Sequence, residues 1–295
     1  MIALAFHYQT QPLPNTQAWF FYRLPLFLHQ ASGAFMFIVE LLLPFALFFG
    51  EWSRAIAGLG FIGLQLMIWF TGNFSYLNYL TACFSLIAFS HTFFPWITPP
   101  VAEHPSFLGD LALTVLGSFF VMMQLIRLWH HFFPDVIWQR GLNYFAPFHL
   151  FNPYGIFAVM TTKRYEIIVE GSEDGIEWKE YLFKYKPSEV WRRPRRVAPY
   201  QPRLDWQMWF LPFNHFKEQE WFHSFLFHVL KGTPDVLKLL RNNPFGDQPP
   251  RYLRAVMYEY EFSTPKEKRV NGSWWKRTYV GPFSPVLSLP QSITS

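Results

Sequence analysis

The chain has 295 residues, of which 51% are apolar, 21% aromatic and only 15% charged, whereas a soluble domain usually carries about a quarter charged residues. The charge is split: residues 1–146 hold four Arg, no Lys and five acids, while residues 147–295 hold 21 Lys and Arg against 15 Asp and Glu. This excludes an ordinary soluble enzyme and a disordered chain, and it argues against a nucleic-acid partner, because the basic residues follow a lysine-free, lipid-like half.

Taken in chain order, the opening MIALAFHYQTQPLP has no basic region and no long apolar core, so it does not read as a cleaved signal peptide. Residues 17–30, broken by Pro25, read as an interfacial or re-entrant segment. Four stretches then reach the ~20 apolar residues that a spanning helix needs: 31–50, 54–72, 76–94 and 107–129. Their separators carry Glu51 and Arg54, Gly72-Asn73, Pro95, Pro99-Pro100 and Pro105. Trp69, Trp96, Trp129 and Trp138 stand where interfacial belts are expected. Four spans put both chain ends on one side, with Arg23, Arg127 and Arg140 against Arg54 alone on the other, a bias towards a cytoplasmic tail.

The single cysteine, Cys83, rules out an internal disulfide, a Cys-rich zinc site and a CxxC redox motif; in its apolar run it reads as a small buried residue. Gly58-Leu-Gly60-Phe-Ile-Gly63 matches GxGxxG in letters, but it lies inside a span with no preceding strand, so it reads as close helix packing through small residues. Asn73 and Asn271 head glycosylation sequons; Asn73 lies at a span boundary, and Asn271 is the better acceptor if the tail is lumenal.

Glu40 lies near the middle of the first span, and an ionisable group at that depth marks a candidate functional site. Pro44, four residues on, has no N–H, so the Glu40 carbonyl loses its intrahelical partner. Two readings stand. Glu40 is packing glue that pairs with Gln65, Asn78 or Thr81 on a neighbouring helix, or Glu40, Gln65 and Asn78 line a polar intramembrane site for a lipid headgroup, an ion or a client segment.

The polar half alternates like strands over 154–186, with Gly171-Ser-Glu-Asp-Gly175 as a hairpin loop between Ile167-Val169 and Tyr181-Phe183. Residues 251–263 and 274–281 form a second β-rich pair, and 218–231 and 234–242 have helical spacing ended by Gly232 and Pro244. The expected fold class is a multi-pass α-helical membrane bundle over 1–146, with about four helices, followed by a water-facing α+β, β-sandwich-like domain over 147–295 with a helical insert.

Residues 191–203 pack five Arg among Trp, Tyr and Pro. Three readings compete: a solvated extended segment, a contact with anionic lipid headgroups, or recognition of a protein partner, since Arg and Trp dominate binding hot spots. The candidate contact residues are Arg192, Arg193, Arg195, Arg196, Arg203, Trp206 and Trp209. Asp205 beside Arg203 suggests a local ion pair. No GxSxG, HExxH, Walker A or EF-hand pattern is present. His130-His131 read as interfacial, and His223 and His228 share no helix face for chelation. No catalytic residue, metal or cofactor is expected.

Several pieces of the chain carry a family likeness: His7-Tyr-Gln-Thr-Gln-Pro-Leu-Pro14, Thr71-Gly-Asn73, Asn152-Pro-Tyr-Gly155, Arg164-Tyr-Glu166 with Glu170-Gly171, and Trp178-Lys-Glu-Tyr181. Arg193-Pro194, Pro199-Tyr200, Arg203 to Phe210, Asn243-Pro-Phe245 and Trp274-Trp275 extend it. In this order they resemble the lipase maturation factor family. The resemblance implies a multi-pass membrane protein whose C-terminal domain projects from the bilayer. It also implies a chaperone-like role in bringing dimeric secreted lipases to their assembled form, with the C-terminal domain binding the client. It carries over no catalytic residue. The implied partners are a secreted lipase or other client protein and membrane lipids, with no nucleic acid. The implied location is the endoplasmic reticulum membrane in a eukaryote and the inner membrane in a bacterium. Family members carry further membrane segments ahead of His7, so the chain looks shortened at its front. A lumenal tail then takes precedence over the count of arginines. The competing reading is a membrane enzyme acting on a lipid or lipid-linked group near Glu40.

Overall fold

A computed structural model describes residues 3–96, 106–134, 136–148, 150–151 and 160–289, without the side chains of 136–139. Pro99-Pro100, Pro105, Asn152-Pro-Tyr-Gly155 and the side chain of Trp138 lie outside the described residues. The chain forms two compact units: Met1–Ser90 with Met160–Ser295, and His91–Val159.

In the larger unit, two short helices, Ala3–Thr10 and Thr16–Phe21, precede an apolar helix at Leu26–Ala46. The Asn15 side chain caps the second by accepting the Ala18 N–H at 2.9 Å. Leu26–Ala46 and Glu51–Thr71 have the length and hydropathy to cross a membrane. The stretch after Gly72 forms a shorter apolar helix, Leu77–Ala88. The Pro44 defect is absorbed by a π turn over Ile38–Leu42, where the Leu43 N–H reaches back five residues to the Ile38 carbonyl.

The glycines of the GxGxxG match let side chains close in. A Cβ on Gly60 would stand 2.2 Å from Leu43 Cδ1, and one on Gly58 would stand 2.7 Å from the Phe89 ring. Nothing lies within 4 Å of such an atom on Gly63. Cys83 is exposed on the short apolar helix rather than buried.

The polar domain is built on one antiparallel sheet, order β2-β1-β3-β4, with β1 Arg164–Ser172, β2 Lys179–Tyr181, β3 Tyr252–Phe262 and β4 Trp275–Pro282. Its register pairs Arg164 with Tyr260, Ile167 with Met257 and Ser172 with Tyr252. The β1–β2 turn spans 173–178, later than the expected Gly171–Gly175 loop, because Gly171 and Ser172 remain in β1 with Gly171 opposite Lys179. Asp174 Oδ1 accepts the N–H groups of Ile176 and Glu177 at 2.8 and 2.9 Å, and Gly175 takes φ +79°.

Side chains alternate across the strands, which gives the sheet two different faces. Ile167, Val169, Leu253 and Ala255 pack on Met208, Leu211, Phe222, Leu226 and Val229 from the helices Arg203–Phe210 and Glu220–Leu230 and the turn between them. Tyr260, Phe262 and Trp275 pack on Tyr8, Ala18 and Trp19 from the front of the chain. The layer against the sheet is therefore helical on both faces, which makes the domain α+β.

The smaller unit holds a 26-residue apolar helix, Phe107–Phe132, also long enough to span. Ser106 caps it by accepting the Gly109 N–H at 3.1 Å. Met123 packs with Leu142 and Phe151 there, beside Phe119 and Phe145.

Candidate functional site

The front of the chain and the polar domain meet in a seam of buried polar side chains. Arg164, at the start of β1, has no exposed side-chain surface. Its guanidinium donates to three carbonyls of the opening segment: Gln9 at 3.0 Å, Gln11 at 2.5 Å and Pro12 at 2.9 Å. Two residues along β1, on the same face, Glu166 binds Arg164 at 2.5 Å and Lys186 at 2.9 Å, all three side chains being 0–1% exposed. Lys186 also donates to the Ile167 and Pro187 carbonyls at 3.1 and 3.2 Å. Two cations against one carboxylate would be costly in a dry interior. The carbonyls around them supply the missing negative partial charge.

The seam continues through uncharged polar residues. Gln9 Oε1 accepts the Phe262 N–H at 3.1 Å, and Gln11 donates to the Thr71 carbonyl at 3.0 Å. Asn15 donates to the carbonyls of Phe70 and Gly72, at 3.0 and 3.3 Å, where helix Glu51–Thr71 ends. Asn73, 3% exposed, donates to the carbonyls of Leu13 and Arg195 and accepts the N–H groups of Val197 and Ala198. Its amide is spent on these four bonds, which leaves nothing for a sequon to offer. Asn271 is exposed.

The arginine-rich segment lies along this seam. Arg196 donates to the Trp69 and Phe70 carbonyls, both at 3.1 Å, and stacks over the Trp69 ring at 4.1 Å. It thus caps the C-terminal end of an apolar helix with positive charge. Arg193 donates through Nε to Thr16 Oγ1 at 2.9 Å. Arg192 bonds the carbonyls of Phe183 and Lys184, and burial, with Arg241 and Arg195 nearby, pushes its pKa down. Trp209 donates to the Thr10 carbonyl at 2.7 Å, and half-buried Trp206 meets Phe74 edge-on. Arg195 and Arg203 are exposed. Asp205 departs from the expected pairing with Arg203: its Oδ1 accepts the Tyr185 and Lys186 N–H groups at 2.8 Å each. It is buried under the turn it ties, and burial pushes its pKa up against the pull of those bonds.

Sequence reasoning missed Arg164, Glu166 and Lys186 as a unit. The available signal was Arg164 and Glu166 on one face of a strand whose other face is apolar, together with an uncharged polar run, Gln9 to Thr16, ahead of a span.

The second polar place is within the apolar helices. Asn78 donates to Gln65 Oε1 at 2.8 Å. These two partner each other, and among the described residues neither bonds Glu40. Glu40 instead faces a groove of about 630 Å³, lined also by Pro44, Arg54, Gln65, Thr81 and Ser85. His223 and His228 take separate partners, the Phe216 carbonyl and Thr233 Oγ1. Among the described residues no three His, Cys, Asp or Glu side chains converge as a metal site would require.

Apolar helices of spanning length, with an α+β domain tied to the seam at one of their ends, define a membrane protein that carries a polar domain. A family model described as Lipase maturation factor transmembrane domain matches residues 1–96, and one described as Lipase maturation factor C-terminal domain matches residues 150–285. Lipase maturation factor 1 of Mus musculus is 33% identical over 98% of this chain and 55% of its own length; that of Homo sapiens is 32% identical over 99% and 56%. Lipase maturation factor 2 of Rattus norvegicus is 29% identical over 98% and 56%. The chain belongs to the lipase maturation factor family. It spans about half the length of the curated relatives it matches. No solved structure matches it.

Proposed function

We propose that the chain acts as a membrane-tethered, chaperone-like factor that assists the folding and assembly of secreted lipases. Its place would be the endoplasmic reticulum membrane in a eukaryotic cell or the inner membrane in a bacterium. Residues 1–146 would form the multi-pass anchor, with Leu77–Ala88 as a fourth, short apolar element, and 147–295 the water-facing domain. The observation that carries this reading is the likeness to proteins named lipase maturation factors through both the membrane and the C-terminal family models. The seam supports it, because a platform fixed to the ends of apolar helices stays at the membrane where secreted chains emerge. Exposed Arg195 and Arg203, with exposed Tyr200, Phe210 and Phe213, are the contact residues left free for a client.

The full chain, purified in detergent, should retain partly unfolded lipase and release the native dimer. Equal retention of both forms would count against the proposal. The isolated 147–295 piece is a poor reagent here, since it lacks the carbonyls that satisfy Arg164.

The Glu40 groove favours a second reading, an intramembrane site that acts on a lipid or lipid-linked group. Glu40→Gln should then abolish cellular function with expression intact, and unchanged function would remove this reading.

A further inference from the structure

Arg23, Arg193 and Lys268 come from three distant parts of the chain and converge on two tryptophans. The Arg23 guanidinium lies 3.6 Å from the Trp19 ring centroid. The Lys268 ammonium lies 3.5 Å from the Trp274 centroid and 4.4 Å from that of Trp19. Arg193 stands 5.8 Å from the Trp274 centroid, and the two indoles pack edge-on at 5.4 Å.

Among the described residues the cluster contains no carboxylate; Arg23 donates to the Trp19 and Ser263 carbonyls and Arg193 through Nε to Thr16 Oγ1, which leaves the Lys268 ammonium and the terminal nitrogens of Arg193 as the unmatched donors. Glu267, the acid next to Lys268, is held by Lys276 at 2.7 Å and by the Thr264 N–H and hydroxyl. Among the described residues no carboxylate forms an ion pair with any of the three cations. Burial lowers the Lys268 pKa first, and repulsion from Arg193 and Arg23 lowers it further. Trp19, 4% exposed, adds an indole N–H that meets no acceptor among the described residues. Crowded cations with a spare buried donor are what an anion site requires.

Position selects the anion. Arg23 stands two residues before Pro25, the N-cap of the helix that runs on as Leu26–Ala46, so the cluster lies where that apolar helix leaves the membrane core. Arg23 also borders a pocket of about 410 Å³ walled by Phe6, Leu24 and Leu26, which gives apolar room beside the charge. Tryptophan and basic residues together at a span end are the usual companions of lipid headgroups.

We infer that Arg23, Arg193 and Lys268, walled by Trp19 and Trp274, bind the phosphate of an anionic phospholipid headgroup in the leaflet where helix Leu26–Ala46 begins. This site takes Arg193, not the Arg195 and Arg203 assigned above to the client, and it does not depend on what the client is. The headgroup would pin the front helices, the arginine-rich segment and the helix Pro265–Asn271 together at the membrane surface.

The test is native mass spectrometry of the full chain extracted from bilayers of phosphatidylcholine mixed with phosphatidylglycerol. The native chain should retain phosphatidylglycerol in preference to phosphatidylcholine. Each cation removed near a membrane surface weakens such retention about fivefold, so Lys268→Gln with Arg193→Gln should lower the enrichment about 25-fold. Lys268→Arg should preserve it. Removing the distant pair Lys238 and Arg251 by Gln substitution should leave it unchanged, and an unshifted unfolding midpoint would show that each variant is folded.

Equal enrichment in the double variant, or equal loss in the distant control, would overturn the inference. Displacement of the lipid by millimolar inorganic phosphate would overturn the lipid source and assign the site to a free anion. Binding of an acidic peptide that phosphatidylglycerol does not compete with would overturn it in favour of a protein partner.

Discussion

The seam and the Glu40 groove both place polar side chains against apolar surroundings, and they handle the problem in opposite ways. At the seam, Arg164 and Asn73 find backbone partners brought from far along the sequence, and Glu166 is held between the side chains of Arg164 and Lys186. In the groove, Asn78 donates to Gln65 while its own Oδ1 meets no donor among the described residues, and Glu40 is left facing open space beside Arg54 and Thr81. A buried polar network that ties distant segments together makes a specific joint, even with Gln11 Oε1 and Arg164 Nε lacking a hydrogen-bond partner among the described residues. One that keeps a carboxyl open retains the capacity to take a ligand. The seam therefore reads as architecture and the groove as a place for chemistry or binding.

The comparison breaks most easily at Arg164. Arg164→Ala leaves Glu166 with one cation and three carbonyls without a donor, and loss of one member of a buried ionic group costs about 3–5 kcal/mol. The full chain in detergent should lose that much in thermal unfolding followed by tryptophan fluorescence. A loss below about 1 kcal/mol, the net worth of an ordinary hydrogen bond, would mean that the seam is not what joins the two halves.

Asn73→Ala comes next. It strands the Val197 and Ala198 N–H groups and the Leu13 and Arg195 carbonyls, for an expected loss of about 1–3 kcal/mol. Hydrogen exchange should quicken at 195–198 before the sheet is affected.

Thr264→Ala is milder. It removes a capping box from the helix Pro265–Asn271, worth about 1 kcal/mol, and should raise proteolysis at 264–272 alone. The same cap predicts a pH response. Lys276, then the Thr264 N–H and hydroxyl, hold the Glu267 carboxyl down at about 2 from an ordinary 4.5. A depressed folded pKa means that the stabilisation is present above 4.5 and is lost as pH falls from there towards 2. Protection of this helix should fade across that window, and a loss on the alkaline side instead would contradict the assignment.

Glu40→Gln should be the smallest of all for stability, within about 0.5 kcal/mol, because no described residue pairs with Glu40. A large destabilisation would move Glu40 from the groove's chemistry into its packing, and would bring the two places together.

Much of the fold was legible beforehand. The alternation of Ile167, Val169 and their neighbours, the Gly171–Gly175 loop, and the helix signals ending at Gly232 each reported a local preference, and the strands and helices form there, with the loop moved to 173–178. The π turn is the structural answer to a defect that Pro44 announced by lacking an N–H. The reading of Asp205 failed because adjacency suggested Arg203, whereas burial favoured two backbone donors from the turn at 185–186. Cys83 was read as buried from an apolar run, but such a run does not say which face of a helix has a neighbour.

The family pieces His7 to Pro14, Thr71 to Asn73, Arg164 to Glu166 and Arg193-Pro194 were visible as text, with no reason to stand together. Composition and periodicity, being properties of neighbours along the chain, determined that the front half is lipid-like and the rear half a strand-and-helix domain. Only the tertiary structure decided that residues 1–90 and 160–295 form one unit. Its joint is made of hydrogen bonds between residues up to about 250 positions apart, and such pairings leave no local pattern. A buried arginine and an exposed one are the same letter until the carbonyls around them are in place.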